Sequence, residues 1–209
     1  MDNSSKKIQY WTVSAGEGGR LWNEFYNKEI FGVGWDEIGD FNSYNTKEEI
    51  QIALKKKREY ETSARNDALA CFEFTNTIKT GDILIVKKGN RELLGYGEVI
   101  SDYTYDDTRP EYKHIRKVNW ITKGNWEIPE KIDVHPATKT LTNITPYEGY
   151  SKGEKYYDDL IDLMSTSSSP KISYSTKDLL LNKKQVILYG PPGTGKTYKT
   201  KEIAVQLIQ

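Results

Sequence analysis

Residues 81–103 read GDILIVKKGNRELLGYGEVISDY, and this stretch decides the fold. Gly81-Asp82 opens an apolar run of strand type that ends at Lys87. Gly89-Asn90 then supplies a tight turn, and Leu93 starts a return strand that runs to Tyr103, so the stretch predicts a β-hairpin. Gly95 and Gly97 sit inside the return strand. They predict a bulge, or a place where another backbone approaches closely.

Working outward, further strands are expected at 8–14, 30–35 and 114–120. Helices are expected at 20–28 and 64–75, and a closing helix at 155–164. Asn45 or Thr46 can cap another helix, with Glu48 and Glu49 in its first turn and Lys55 to Arg58 near its end, a charge order that suits the helix dipole. Strands and helices intermix, so the class is α+β. The Ser/Pro-rich stretch at 166–176 reads as a linker. It separates a domain at 1–165 from a segment at 177–209.

Composition limits the function. Lys+Arg and Asp+Glu are balanced at 30 each, which argues against a sequence-blind polyanion binder but leaves local basic patches open. The single cysteine, Cys71, reads as a small buried residue, and one cysteine allows no internal disulfide. No apolar run approaches the ~20 residues of a membrane span, and the N-terminus lacks a signal-peptide core, so a cytoplasmic protein is expected. Tyrosine and tryptophan, at 15 and 5, outnumber the 5 phenylalanines. Such amphipathic rings suit stacking platforms and half-exposed surfaces. His114 and His135 show no metal-ligand spacing, and no nucleophile–base pair stands out in the first domain.

Residues 190–197 read GPPGTGKT, a complete phosphate-binding loop between a strand-type run and a helical pattern. In that motif the backbone of Gly190, Pro191, Pro192, Gly193, Thr194 and Gly195 wraps the phosphates. Lys196 reaches the β- and γ-phosphates, and Thr197 places its hydroxyl on Mg²⁺. One strand and one helix cannot bury a core of their own. The expectation is therefore the opening strand–loop–helix of an α/β NTPase domain, truncated after the loop and unable to hydrolyse nucleotide by itself.

Several short signatures then converge. Tyr10-Trp11, Gly34-Trp35-Asp36, Lys79-Thr80-Gly81-Asp82 and Gly95-Tyr96-Gly97-Glu98-Val99, with Tyr103 and the run HIRKVNW at 114–120, resemble an EVE domain. EVE domains are related to YTH domains within the PUA-like superfamily. The resemblance covers most of residues 8–163. It implies a small mixed β-barrel flanked by helices, and an aromatic cage around a flipped, modified base. Such a domain followed by a linker and this phosphate loop resembles the McrB family of AAA+ GTPase subunits in modification-dependent restriction systems. That resemblance implies modified double-stranded DNA as target, GTP or ATP with Mg²⁺ as cofactor, a ring of identical motor subunits, a McrC-like nuclease partner and a role in antiviral defence.

Trp35 is the first candidate for the base pocket, because it ends a strand and matches a cage tryptophan of the related YTH pattern; the competing reading is a core tryptophan. Ser14 and Ala15 match the loop that approaches the base edge in related domains. Asp36 is expected to accept from an exocyclic amine, against an ordinary turn acid. Trp22 and Tyr103 are further cage candidates, against core and loop readings. Asn66, after Arg65, resembles an Arg-Asn pair of EVE domains whose amide reads a base edge. Lys87, Lys88, Arg91 and Arg116 are the phosphate-contact candidates. Two other readings compete: a modified-RNA reader on the same fold, and a docking or oligomerisation platform of a P-loop NTPase.

Overall fold

The computed structural model describes residues 7–58, 63–129, 139–149 and 154–166. These residues fall in one compact unit, Met1–Thr166. The phosphate loop at 190–197, the segment at 177–209, the linker beyond Thr166 and His135 lie outside the described residues.

In chain order the elements are β1 (Tyr10–Ser14), α1 (Trp22–Asn27), β2 (Ile30–Val33), α2 (Lys47–Arg58), α3 (Arg65–Phe72), β3 (Ile83–Lys88), β4 (Glu92–Val99), β5 (Thr104–Tyr105), β6 (His114–Glu127), β7 (Leu141–Asn143) and α4 (Tyr156–Thr166). The class is mixed α+β. Seven strands form one sheet in the order β2-β6-β4-β3-β1-β7, with β5 paired to β6. β1 runs parallel to β3, Tyr10 opposite Ile83 and Ser14 opposite Lys87. The β3–β4 hairpin is antiparallel, as its turn predicts.

The sheet separates two apolar clusters. Leu84 and Val86 of β3 join Trp11, Val13, Phe25, Phe31 and Phe74 on one side. Ile85, between them in sequence, points to the other side, where it meets Leu93, Trp126, Tyr156, Leu160 and Met164. This is the period-2 alternation of a strand buried on both faces. α4 closes the second face, and Tyr157 stacks on Tyr10 at 3.7 Å between ring centres.

Local chemistry explains the element ends. Thr46 Oγ1 accepts the Glu49 N–H at 3.2 Å, and the Glu49 carboxylate accepts the Asn45 N–H at 2.7 Å. This reciprocal box starts α2 and contributes on the order of 1 kcal/mol. Gly95, at φ 154, has no room for a side chain: a Cβ there would lie 2.2 Å from the Thr122 carbonyl oxygen and 2.8 Å from the Trp22 ring. The β4–β6 register shifts between Leu93 and Gly95 and again between Tyr96 and Gly97. Both halves of the glycine expectation, irregularity and close approach, are met.

Three features depart from the sequence reading. β6 runs to Glu127, and β5 and β7 were not foreseen. The helix expected at 64–75 is α3 followed by a wider π turn at Glu73–Thr77.

Candidate functional site

β2 ends at Val33, and after Gly34 the chain reaches Trp35 with φ 67 and ψ 30, a left-handed conformation. For a bulky residue this costs about 1–2 kcal/mol and persists only where neighbours over-determine it. The neighbours are specific. Asp36 Oδ2 accepts the Tyr112 N–H and Oδ1 accepts the Lys113 N–H, both at 2.9 Å. The Ile38 N–H donates to the Trp35 carbonyl at 3.3 Å, and the Ile38 side chain is buried. Arg58 of α2 donates to Glu37 in this turn and to Asp67 of α3 at 2.9 Å. That guanidinium ties the Trp35 turn to the first turn of α3, where Asn66 is exposed.

Two cavities share a lining residue here. One, of about 270 Å³, is lined by Trp35, Asn66, Asp67, Ala70, Lys139 and Leu141, with Thr140 at its edge. The other, of about 380 Å³, is walled by Ser14, Gly16, Gly19, Lys87 and Tyr112, again with Thr140. Thr140 belongs to both, and its carbonyl accepts the Ser14 N–H at 3.0 Å. The larger cavity lies within the ~300–1,000 Å³ range of small-ligand sites. The half-buried Trp35 lines the smaller cavity and the half-buried Tyr112 the larger, and Asp36 joins their backbones.

Of the pocket candidates, Ser14 lines the larger cavity and Trp35 and Asn66 the smaller. Ala15 is fully buried, and its carbonyl accepts the Leu21 N–H at 3.0 Å. Asp36 is a correction in part: each carboxylate oxygen already accepts a backbone N–H, so it shapes the site, and only its remaining lone pairs are open to an amine. Trp22 is a second correction. It is 5% exposed under Gly95 and packs edge-on to Trp120 at 4.7 Å, as a core ring. Tyr103 is a third. Its hydroxyl accepts the Phe41 N–H at 3.1 Å, lies 2.9 Å from Asp40 Oδ1, and is 2.8 Å from His114 Nδ1. Burial drives its pKa well up, and that network replaces a cage role.

The phosphate candidates divide. Lys88 is exposed and pairs with Glu92 at 3.2 Å, and Arg91 is exposed at the hairpin. Arg116 is 1% exposed. Its guanidinium donates to the carbonyls of Phe74, Thr75 and Ser101 at 2.8, 2.9 and 3.0 Å. It satisfies the last carbonyls of the π turn and cannot face a phosphate. Lys87 is also 1% exposed, with Nζ 2.9 Å from Ser14 Oγ.

Residues 11–148 match the family described as a domain of unknown function, DUF8426. The chain belongs to that family. The DUF8426 region holds every residue of both cavities and leaves α4 outside. No curated protein matches the chain. Among solved structures, three YTH domains are similar at low identity. The Mmi1 YTH domain is 15% identical at TM-score 0.32, over 57% of this chain and 54% of that one, so the chain spans little more than half of that structure. The Mmi1 YTH domain in complex with RNA is 14% identical at TM-score 0.44, over 78% and 80%. The YTH domain of Zygosaccharomyces rouxii MRB1 in complex with N6-methyladenosine RNA is 12% identical at TM-score 0.35, over 78% and 91%.

Sequence reasoning missed Tyr112, Lys139, Thr140 and Leu141, all of which the DUF8426 domain places at the cavities. Tyr112 follows a turn-rich run and has φ 52. A non-glycine left-handed residue leaves no mark in sequence. Thr140 precedes, and Leu141 opens, a three-residue strand too short to carry a pattern.

Proposed function

We propose that this domain reads modified bases, taking an extruded base of double-stranded DNA into these neighbouring cavities. One observation carries the reading: Trp35 is held half-buried in a left-handed backbone at the cavity wall, beside the exposed Asn66. A tryptophan needed only for packing gains nothing from strained backbone. Strain that three neighbours enforce is the mark of a positioned functional ring. Trp35 and Tyr112 supply π faces, and Asn66 supplies an amide for a base edge.

The energetics are consistent. Extruding a base costs a few kcal/mol. Each aromatic stack returns roughly 1–3 kcal/mol. Lys88, Arg91, Lys139 and Arg65, all exposed on the same domain, supply phosphate contacts that position the strand without reading sequence.

In this reading the domain targets a McrB-like motor. The phosphate loop at 190–197 holds GTP or ATP, with Mg²⁺ on Thr197, in the complete protein. A ring of such subunits works with a McrC-like nuclease in the cytoplasm, restricting foreign DNA. Support for this part is the sequence motif and the order of segments.

The test is fluorescence-polarisation binding of the 209-residue chain at one fixed salt concentration. Matched duplexes carry no modification, 5-methylcytosine, 5-hydroxymethylcytosine or N6-methyladenine, and RNA versions accompany them. Preference for one modified DNA duplex is expected. A requirement for the 2′-OH would move the assignment to RNA. Equal weak binding throughout would sink the reader assignment and favour a docking platform.

A further inference from the structure

Lys87 is a buried cation with no counter-ion. No carboxylate lies within ion-pair distance of it among the described residues, and its hydrogen-bond partner is the neutral Ser14 hydroxyl at 2.9 Å. An ammonium taken out of water without an anion is costly, and folded proteins keep such a group only where something compensates it. Burial lowers its pKa, in the direction of a charge without a partner.

Its surroundings point to the compensation. Lys87 lines the 380 Å³ cavity together with Ser14, Gly16 and Gly19. Gly16 and Gly19 have φ 74 and 76, and their N–H groups donate to the Ser14 and Gly16 carbonyls, with Glu17 between them in sequence lining the same cavity. Ser14 accepts from the ammonium, which leaves its own hydroxyl hydrogen free to donate. Lys87 and Ser14 give two donors on one wall, which makes a receptor for an anionic oxygen; the Glu17 carboxylate lines the same cavity.

We propose that Lys87 and Ser14 form a phosphate subsite distinct from the base-reading wall at Trp35. The base-reader reading supplies the source, a nucleotide phosphate; the subsite itself stands on Lys87. Thr140 lines both cavities, so the subsite neighbours the Trp35 wall. A surface lysine adds attraction for any strand. A buried one adds it only for a phosphate that enters the cavity, which couples charge to base capture.

The test uses the full chain carrying Lys196→Ala, which silences the phosphate loop. Inorganic phosphate is titrated against chloride at equal ionic strength, and the Ser14, Gly16 and Gly19 amides are followed by NMR. Phosphate-dependent shifts are expected in this background. Adding Lys87→Met should weaken them about tenfold or more and leave the unliganded melting temperature unchanged or higher, because it removes an uncompensated charge. Lys87→Arg, which keeps the charge, should retain most of the shifts. For a short duplex, Lys87→Met should also lower the slope of log affinity against log salt by about one. Shifts that persist in Lys87→Met, or that never occur in the parent, overturn the subsite. Shifts that depend on Lys87 without any preference for modified bases would keep the subsite and remove the base-reader reading.

Discussion

The Asp36 carboxylate accepts the backbone N–H of Tyr112 at 2.9 Å, across 76 residues of sequence. Its other oxygen takes Lys113 N–H at the same distance. One side chain therefore fixes the two loops that carry Trp35 and Tyr112, and the spacing of those rings follows from it. Asp36→Asn keeps one acceptor oxygen and turns an NH₂ toward an N–H. It should cost about 1–2 kcal/mol of stability and weaken ligand binding several-fold. Thermal melting and polarisation titrations read the two effects; unchanged binding would separate Asp36 from the site.

Position 35 separates strain from function. Trp35→Ala removes the ring but keeps a non-glycine residue in the left-handed region, whereas Trp35→Gly relieves it. The glycine variant should be the more stable of the two by about 1 kcal/mol. Both should lose discrimination between modified and unmodified duplexes. Retained discrimination in either would return Trp35 to the core.

His114 gives the fold an acid-side weakness. It is fully buried, with its ring stacked on Phe41 at 3.5 Å. Burial pushes its pKa from 6.5 down to about 4, with Asp40 opposing. The folded state holds the neutral ring, whereas the unfolded chain protonates near 6.5. The associated stability is present above about pH 6.5 and is lost as pH falls through about 4, a loss of roughly 3 kcal/mol. Denaturation midpoints at pH 7.5, 5.5 and 4.5 should decline in that order. In His114→Gln the decline should flatten; a flat wild-type profile would contradict a neutral buried imidazole.

Gly95→Ala tests the sheet. The added carbon would meet the Thr122 carbonyl and the Trp22 ring, both backed by core. A cost of roughly 3 kcal/mol or more is expected, read as a large drop in melting temperature or in soluble yield. A melting temperature within a few degrees of the parent would mean that β4 and β6 can separate there.

What could be read in the sequence were signals whose partners lie nearby. The Gly89-Asn90 turn, the Thr46–Glu49 box and the glycines of β4 each carry their cause within a few residues. The burial of Arg116 does not: its acceptors are Phe74, Thr75 and Ser101, so a basic residue in a strand looked like a surface charge. Asp36 looked like a turn acid or an amine acceptor for the same reason, since its donors lie in the Tyr112 loop. Trp35 and Asn66 were found because motif position marks them. Tyr112 and Thr140 were missed because only tertiary structure brings them to the cavity.

β1 is parallel to β3 and flanked by β7. It is made before the other described strands, yet neither neighbour exists until residues 83–88 and then 141–143 have been made. Trp11 and Val13 must therefore wait, unpaired, until β3 has been made. Both pairings close long loops, the contact pattern of slow-folding chains. The domain's exposure to chaperones and proteases during synthesis is thus set by its first strand.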